Sequence, residues 1–269
     1  MSYKEWGDAD NQNVLVCVHG ITRVSDDFDA LALALSDHYR VICPDVVGRG
    51  QSDSLPHPQL YQVPQYVSDM VTLLARLDVA KLDWFGTSMG GLIGMGLASL
   101  PNNPIRKLVL NDVGPSLNFE AIARIGDYIG QDVRFDTFDE AAAYIREVSI
   151  SFGPHTEEQW YKLAADVLKK NKDGKWIRHY DLNVSVPVKA ITPELAVAAQ
   201  KMLWAAYDAI TCQTLLVRGS NSDLLTKEAA QEMTRRGPRA TLVEIAGVGH
   251  APTFLQPEQI AIARDFLLG

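Results

Sequence analysis

The chain has 269 residues, 47% hydrophobic and 22% charged, an ordinary globular composition with room for one large α/β domain carrying an insertion, or for two small domains. A formal net charge of −8 excludes nucleic acid as the expected partner, and the short pairs Lys169-Lys170 and Arg235-Arg236 read as solvated helix faces. The polar start Met1-Ser2-Tyr3-Lys4-Glu5-Trp6 lacks a signal-peptide core, no stretch is apolar enough for a membrane span, and Cys17, Cys43 and Cys212 are scattered without metal-ligand spacing.

These features predict a cytoplasmic protein with buried free thiols, no membrane association, and neither metal nor cofactor.

In chain order, Asn13-Val14-Leu15-Val16-Cys17-Val18 is a continuous apolar run ending at His19-Gly20, the pattern of a strand buried on both faces. Ser25 to Ser36 predicts a helix capped by Ser25. Tyr39 to Asp45 predicts a second buried strand, closed by Gly48-Arg49-Gly50. Val63 to Leu77 reads as a helix. The run Lys81-Leu82-Asp83-Trp84-Phe85 then meets Gly86-Thr87-Ser88-Met89-Gly90, and an apolar helix from Gly91 to Ala98 follows.

A strand, a one-residue corner and a helix make a nucleophile elbow. The corner strains Ser88 and lifts its hydroxyl clear, and glycines on either side avoid a collision across the turn.

Ile105 to Leu110 is the next strand, stopped by Asn111-Asp112-Val113-Gly114-Pro115. From Ser116 to Tyr207 there is helical periodicity, in Asp139–Ser149, His155–Lys170 and Thr192–Tyr207, with many aromatics and no convincing strand. Strands resume at Cys212–Val217 and Ala240–Ile245, with helices at Thr226–Arg236 and Pro257–Leu268. Strands alternating with helices imply a parallel sheet with right-handed crossovers. The expected organisation is an α/β core of residues 1–115 and 208–269, with residues 116–207 as a helical cap over the C-terminal edge of the sheet, where ligands bind in open α/β folds.

A serine hydroxyl needs a base, and the base needs an orienting acid. The strand Leu215-Leu216-Val217 runs into Arg218-Gly219-Ser220-Asn221-Ser222-Asp223, and the last strand runs into Gly247-Val248-Gly249-His250-Ala251-Pro252. The order Ser88, Asp223, His250, together with His19-Gly20, Asp45 to Ser52 and the elbow, resembles the α/β-hydrolase fold family. In this reading Ser88 is the nucleophile, His250 the base and Asp223 the acid. Asp112 is the rival acid, because some members of the family place it after the strand that follows the elbow.

The resemblance further implies an oxyanion hole built from the backbone N–H groups of Ile21 and Met89, with His19 bracing the loop. Serine at position 88 speaks against enzymes of this family that use a carboxylate nucleophile. The short oxyanion loop and helical insertion look like small-substrate serine carboxylesterases and lactonases. The expected activity is hydrolysis of small to medium carboxylic esters through an acyl-enzyme, with Trp160, Trp204 and Tyr207 expected to line the substrate pocket.

Alternatives left open are lactone or thioester hydrolysis, and cleavage of a carbon–carbon bond in a vinylogous diketone acid whose carboxylate Arg146 or Arg178 would hold. A third is a ligand sensor on the same scaffold.

Overall fold

The computed structural model describes residues 1–116 and 118–269. Its centre is a seven-stranded sheet built from β1 (Tyr3–Trp6), β2 (Val14–Val18), β3 (Arg40–Pro44), β4 (Leu82–Thr87), β5 (Ile105–Asn111), and two late strands, Gln213–Gly219 and Thr241–Ile245. The strands lie in the order β1-β3-β2-β4-β5, then the two late strands. All neighbours pair in parallel except the edge strand β1, which runs antiparallel to β3.

The continuous apolar runs have a simple cause, since successive side chains of a strand point to opposite faces. On β2, Val14, Val16 and Val18 enter one core cluster while Leu15 and Cys17 enter the other. On β4, Leu82 and Trp84 face one way and Phe85 the other. Helices cover both faces. On the first side lie α2 (Val63–Leu77) and α3 (Met89–Ala98); on the second lie α1 (Asp29–Leu35) and the C-terminal helix Pro257–Leu268.

Ser25 does not cap a helix by its side chain. A 3-10 turn spans Ser25–Phe28, and α1 starts only at Asp29. The edge strand β1 had no counterpart among the elements expected from sequence; its residues alternate exposed and half-buried, so it has no apolar run to announce it. Cys17 and Cys43 are buried free thiols, and Cys212 is half-buried.

Between β5 and the first late strand come α4 (Phe119–Tyr128), α5 (Phe138–Val148), α6 (Glu157–Ala165), strands β6 (Leu168–Lys170) and β7 (Trp176–Arg178), α7 (Ser185–Lys189) and α8 (Pro193–Asp208). The two late strands are therefore β8 (Gln213–Gly219) and β9 (Thr241–Ile245), with α9 (Lys227–Met233) between them and α10 (Pro257–Leu268) last.

The hairpin β6–β7 corrects the expectation of a strand-free segment, and it shortens the helix expected over His155–Lys170. Its turn is Asn171-Lys172-Asp173-Gly174. The Asn171 carboxamide accepts the N–H groups of Asp173 and Lys175, and Gly174 takes φ +77°, a conformation that favours glycine. Beyond β7 the chain is tied to the core: the Gly50 N–H donates to the His179 carbonyl at 3.0 Å, and the Asp181 N–H to that of Gly48 at 2.7 Å.

Candidate active site

Ser88 sits between β4 and α3 at φ +51°, ψ −115°, a region that non-glycine residues reach only when their surroundings force them there. Those surroundings are tight. A Cβ on Gly86 would overlap the Gly90 carbonyl, and one on Gly90 would overlap the Val18 carbonyl. The Trp84 indole N–H donates to the Gly90 carbonyl at 3.0 Å, and the Ser88 N–H to the Asn111 carbonyl at 3.0 Å. The corner is thus clamped from both sides, with α3 starting immediately behind it.

His250 lies on the loop between β9 and α10. Its Nε2 is 2.9 Å from Ser88 Oγ and its Nδ1 is 2.8 Å from Asp112 Oδ2. Asp112 follows β5 at φ +55° and is fully buried. Its carboxylate accepts the Gly219 N–H on Oδ1 at 2.9 Å, and the Ser222 hydroxyl on Oδ2 at 2.6 Å, besides the His250 ring. A buried carboxylate can stay ionised only with donors of this kind around it.

Asp223, expected behind the ring, is not there. Its carboxylate is half-exposed and paired with Arg124 at 2.6 Å. In the Gly219–Asp223 turn it is Ser222 that faces inward. The loop thus delivers two hydrogen bonds to the acid in place of the acid itself.

The histidine loop is held from two sides. The Asn111 carboxamide donates to the Pro252 carbonyl at 2.8 Å. From the segment after α5, the Ser151 hydroxyl donates to the His250 carbonyl at 2.7 Å, and the Ser151 carbonyl accepts the Gly249 N–H at 2.7 Å.

His19 is fully buried under the neighbouring loop. Its Nε2 accepts the Val46 N–H at 3.0 Å, so Nδ1 carries the proton and donates to the Gly20 carbonyl at 2.7 Å. Burial pushes its pKa down to about 4, and the ring is neutral near pH 7.

Arg49, also fully buried, completes the brace. It donates to the Ile21 carbonyl at 2.9 Å, the Val47 carbonyl at 2.8 Å and the Tyr66 hydroxyl at 3.0 Å, and it reaches Met89 Sδ at 3.5 Å. A Cβ at Gly20 would stand 3.8 Å from Ser88 Cβ, so this loop passes directly beside Ser88. Met89 opens α3, and its N–H is one of the first-turn donors that a helix leaves without an internal partner.

A cavity of about 80 Å³ opens over Ser88 and His250. Core residues such as Ile21 and Phe254 line it together with Ile125, Tyr128, Phe152 and Arg178 from between β5 and β8. Trp160, Trp204 and Tyr207 are not among its walls. Trp160 packs on His155, with the Arg146 guanidinium 5.5 Å from its ring. Trp204 and Tyr207 belong to the core cluster where α8 meets the sheet layer, and the Tyr207 hydroxyl donates to the Met233 carbonyl. In this structure the three aromatics pack against protein groups away from the cavity.

Arg146 is also out of reach, paired with Glu157 at the surface. His179 is half-buried and lies off the cavity. Of Arg146 and Arg178, only Arg178 lines this cavity with Ser88. Among the described residues no three His, Cys, Asp or Glu side chains gather as metal ligands, and no helix is long and apolar enough to cross a membrane.

The family model for the α/β hydrolase fold matches residues 13–257. The chain is 56% identical to a 3-hydroxybutyrate-oligomer hydrolase of Cupriavidus necator, covering 100% of this chain and 93% of that protein. It is 27% identical to the esterase YbfF of Escherichia coli, covering 89% and 87%. A crystal structure of an α/β hydrolase from Novosphingobium aromaticivorans superposes with a TM-score of 0.87 at 34% identity, covering 99% of this chain and 93% of that one. Strand order, elbow and sequence match converge on one conclusion: the chain belongs to the α/β-hydrolase fold family.

Proposed function

We propose that this protein is a serine carboxylic ester hydrolase in which Ser88 is the nucleophile, His250 the general base and Asp112 the acid that orients and charges the ring. The observation that carries the reading is the unbroken chain of contacts from Ser88 Oγ through His250 to the buried Asp112 carboxylate.

Ser88 Oγ attacks the ester carbonyl while His250 Nε2 takes its proton, and the carbonyl electron pair moves onto oxygen. The N–H groups of Met89 and Ile21 receive that oxyanion, aided by the positive end of α3. Collapse breaks the bond to the alcohol, which leaves with the proton from His250. Water, deprotonated by the same ring, then attacks the acyl-enzyme and releases the acid, so one water is consumed per ester cleaved.

Residues 116–207 serve as the cap that shapes the acyl and alcohol sites. Given 56% identity over the whole chain to the 3-hydroxybutyrate-oligomer hydrolase, short linear ester oligomers of hydroxy acids are the substrate class we assign.

Turnover of the linear 3-hydroxybutyrate dimer and trimer, alongside short p-nitrophenyl esters, tests this. Ser88→Ala should lower kcat by at least about 10⁴-fold while the far-UV spectrum stays unchanged. Retained turnover would sink the assignment. The second reading, carbon–carbon bond hydrolysis, draws on Arg178 in the cavity wall; inactivity on every ester with activity on a ring-fission diketone acid would select it.

A further inference from the structure

Arg178 ends β7 and is 5% exposed. Its Nε and Nη1 have no hydrogen-bond partner among the described residues. A buried guanidinium ordinarily has a carboxylate or several carbonyls around it, because an unpaired charge taken out of water costs several kcal/mol. Here the neighbours are aromatic. The Tyr180, Tyr128 and Tyr144 rings lie 4.9, 5.8 and 5.9 Å from its central carbon. Ring faces offset part of the cost, and they leave the in-plane Nε and Nη1 donors without acceptors. The Tyr144 hydroxyl, also buried, is likewise unpartnered.

Arg178 lines the same cavity as Ser88 and His250. The other charges there are already compensated: Arg23 holds Asp27 through three contacts of 2.6 to 3.0 Å, and Arg124 holds Asp223. In a protein of net charge −8, this cavity therefore carries an uncompensated positive centre.

We infer that Arg178 binds a free carboxylate of the substrate, which makes the enzyme selective for esters that carry an acid group besides the scissile bond. The inference deepens the ester-hydrolase reading and rests on it. Nε and Nη1 lie on different edges of the guanidinium, each completed by Nη2, so a carboxylate on either edge is held by two parallel N–H bonds, one of them from an open donor. A linear hydroxy-acid oligomer supplies such a group on the alcohol side of its last ester, and a monoester of a dicarboxylic acid supplies it on the acyl side. The two differ only in where the chain lies relative to Ser88.

The test uses matched pairs: the linear 3-hydroxybutyrate dimer against its terminal amide, and a succinate monoester against the corresponding amide. Wild type should favour the acid of at least one pair by about 10- to 100-fold in kcat/KM, the effect of a charge-assisted bond in a dry site. In Arg178→Gln that ratio should fall toward one. Arg178→Lys keeps the charge without the fork and should give an intermediate ratio; it carries the test if the glutamine variant does not fold. A wild-type ratio near one in both pairs, or a ratio unchanged by either substitution, overturns the inference.

Calorimetry on Ser88→Ala separates the two readings, since it needs no turnover. The acid dimer should bind Ser88→Ala and lose that binding in Ser88→Ala/Arg178→Gln. Binding lost in this way by a protein that cleaves no ester would leave Arg178 as a carboxylate site and sink the esterase assignment. Equal binding by both variants would sink Arg178.

Discussion

Two loops at the C-terminal edge of the sheet each end a parallel strand with an aspartate, and they treat it in opposite ways. After β5, Asp112 is fully buried, takes a left-handed backbone conformation and accepts three hydrogen bonds. After β8, Asp223 stands half in solvent against Arg124. One carboxylate can stabilise charge on a histidine because water is excluded and its donors are in place; the other is screened. Position at a strand end does not by itself bring an acid behind the ring. Of the two, only Asp112 points inward to within 2.8 Å of His250 Nδ1.

That contrast can be broken by experiment. The largest effect belongs to Asp112→Asn, which should lower kcat by about 10⁴-fold by favouring the wrong His250 tautomer. A loss under tenfold, measured on a chromogenic ester, would remove Asp112 from the machinery.

Next comes His19, buried like Asp112 but held neutral. Its folded pKa of about 4 lies below the ordinary histidine value, so the unfolded chain takes up the proton first. The stability contributed by the neutral ring is complete above about pH 6.5 and drains as pH falls toward 4, by up to about 3 kcal/mol. Urea midpoints at several pH values should show a shallower acid slope for His19→Asn than for wild type. Parallel slopes would mean that His19 does not titrate as described.

Ser222→Ala removes one donor from Asp112 and should reduce kcat about tenfold while leaving KM within a factor of about two. Asp223→Asn should be the mildest. Activity should change less than about threefold, and unfolding free energy by under about 1 kcal/mol, as for other exposed pairs. Should it abolish turnover while Asp112→Asn does not, the two loops would exchange roles.

The sheet was legible because buried parallel strands have to be apolar on both faces, α2 had a clear apolar stripe, and both α2 and α10 had prolines in their first turn. The edge strand β1 and the hairpin β6–β7 were not, since three or four residues of mixed exposure carry little periodic signal. The Asp-Gly pair at Asp173-Gly174 was the available cue for the hairpin. The meeting of Ser88 with His250 was readable from the glycines and strand ends that confine them. The partner of His250 was not, because the choice between Asp112 and Asp223 depends on which residue of the Gly219–Asp223 turn points inward. The packing roles of Trp160, Trp204 and Tyr207 were equally hidden, as an aromatic on a helix looks the same in sequence whether it meets a ligand or a neighbouring layer.

The grip of Ser151 on the loop around His250 has a practical corollary for protein engineering. Exchanging the segment between β5 and β8 among relatives, or trimming it, detaches a strut from the imidazole unless the short stretch after α5 travels with the scaffold rather than with the graft. Chimeras joined just beyond Ser151 should keep their turnover, and those joined before it should need a replacement tether.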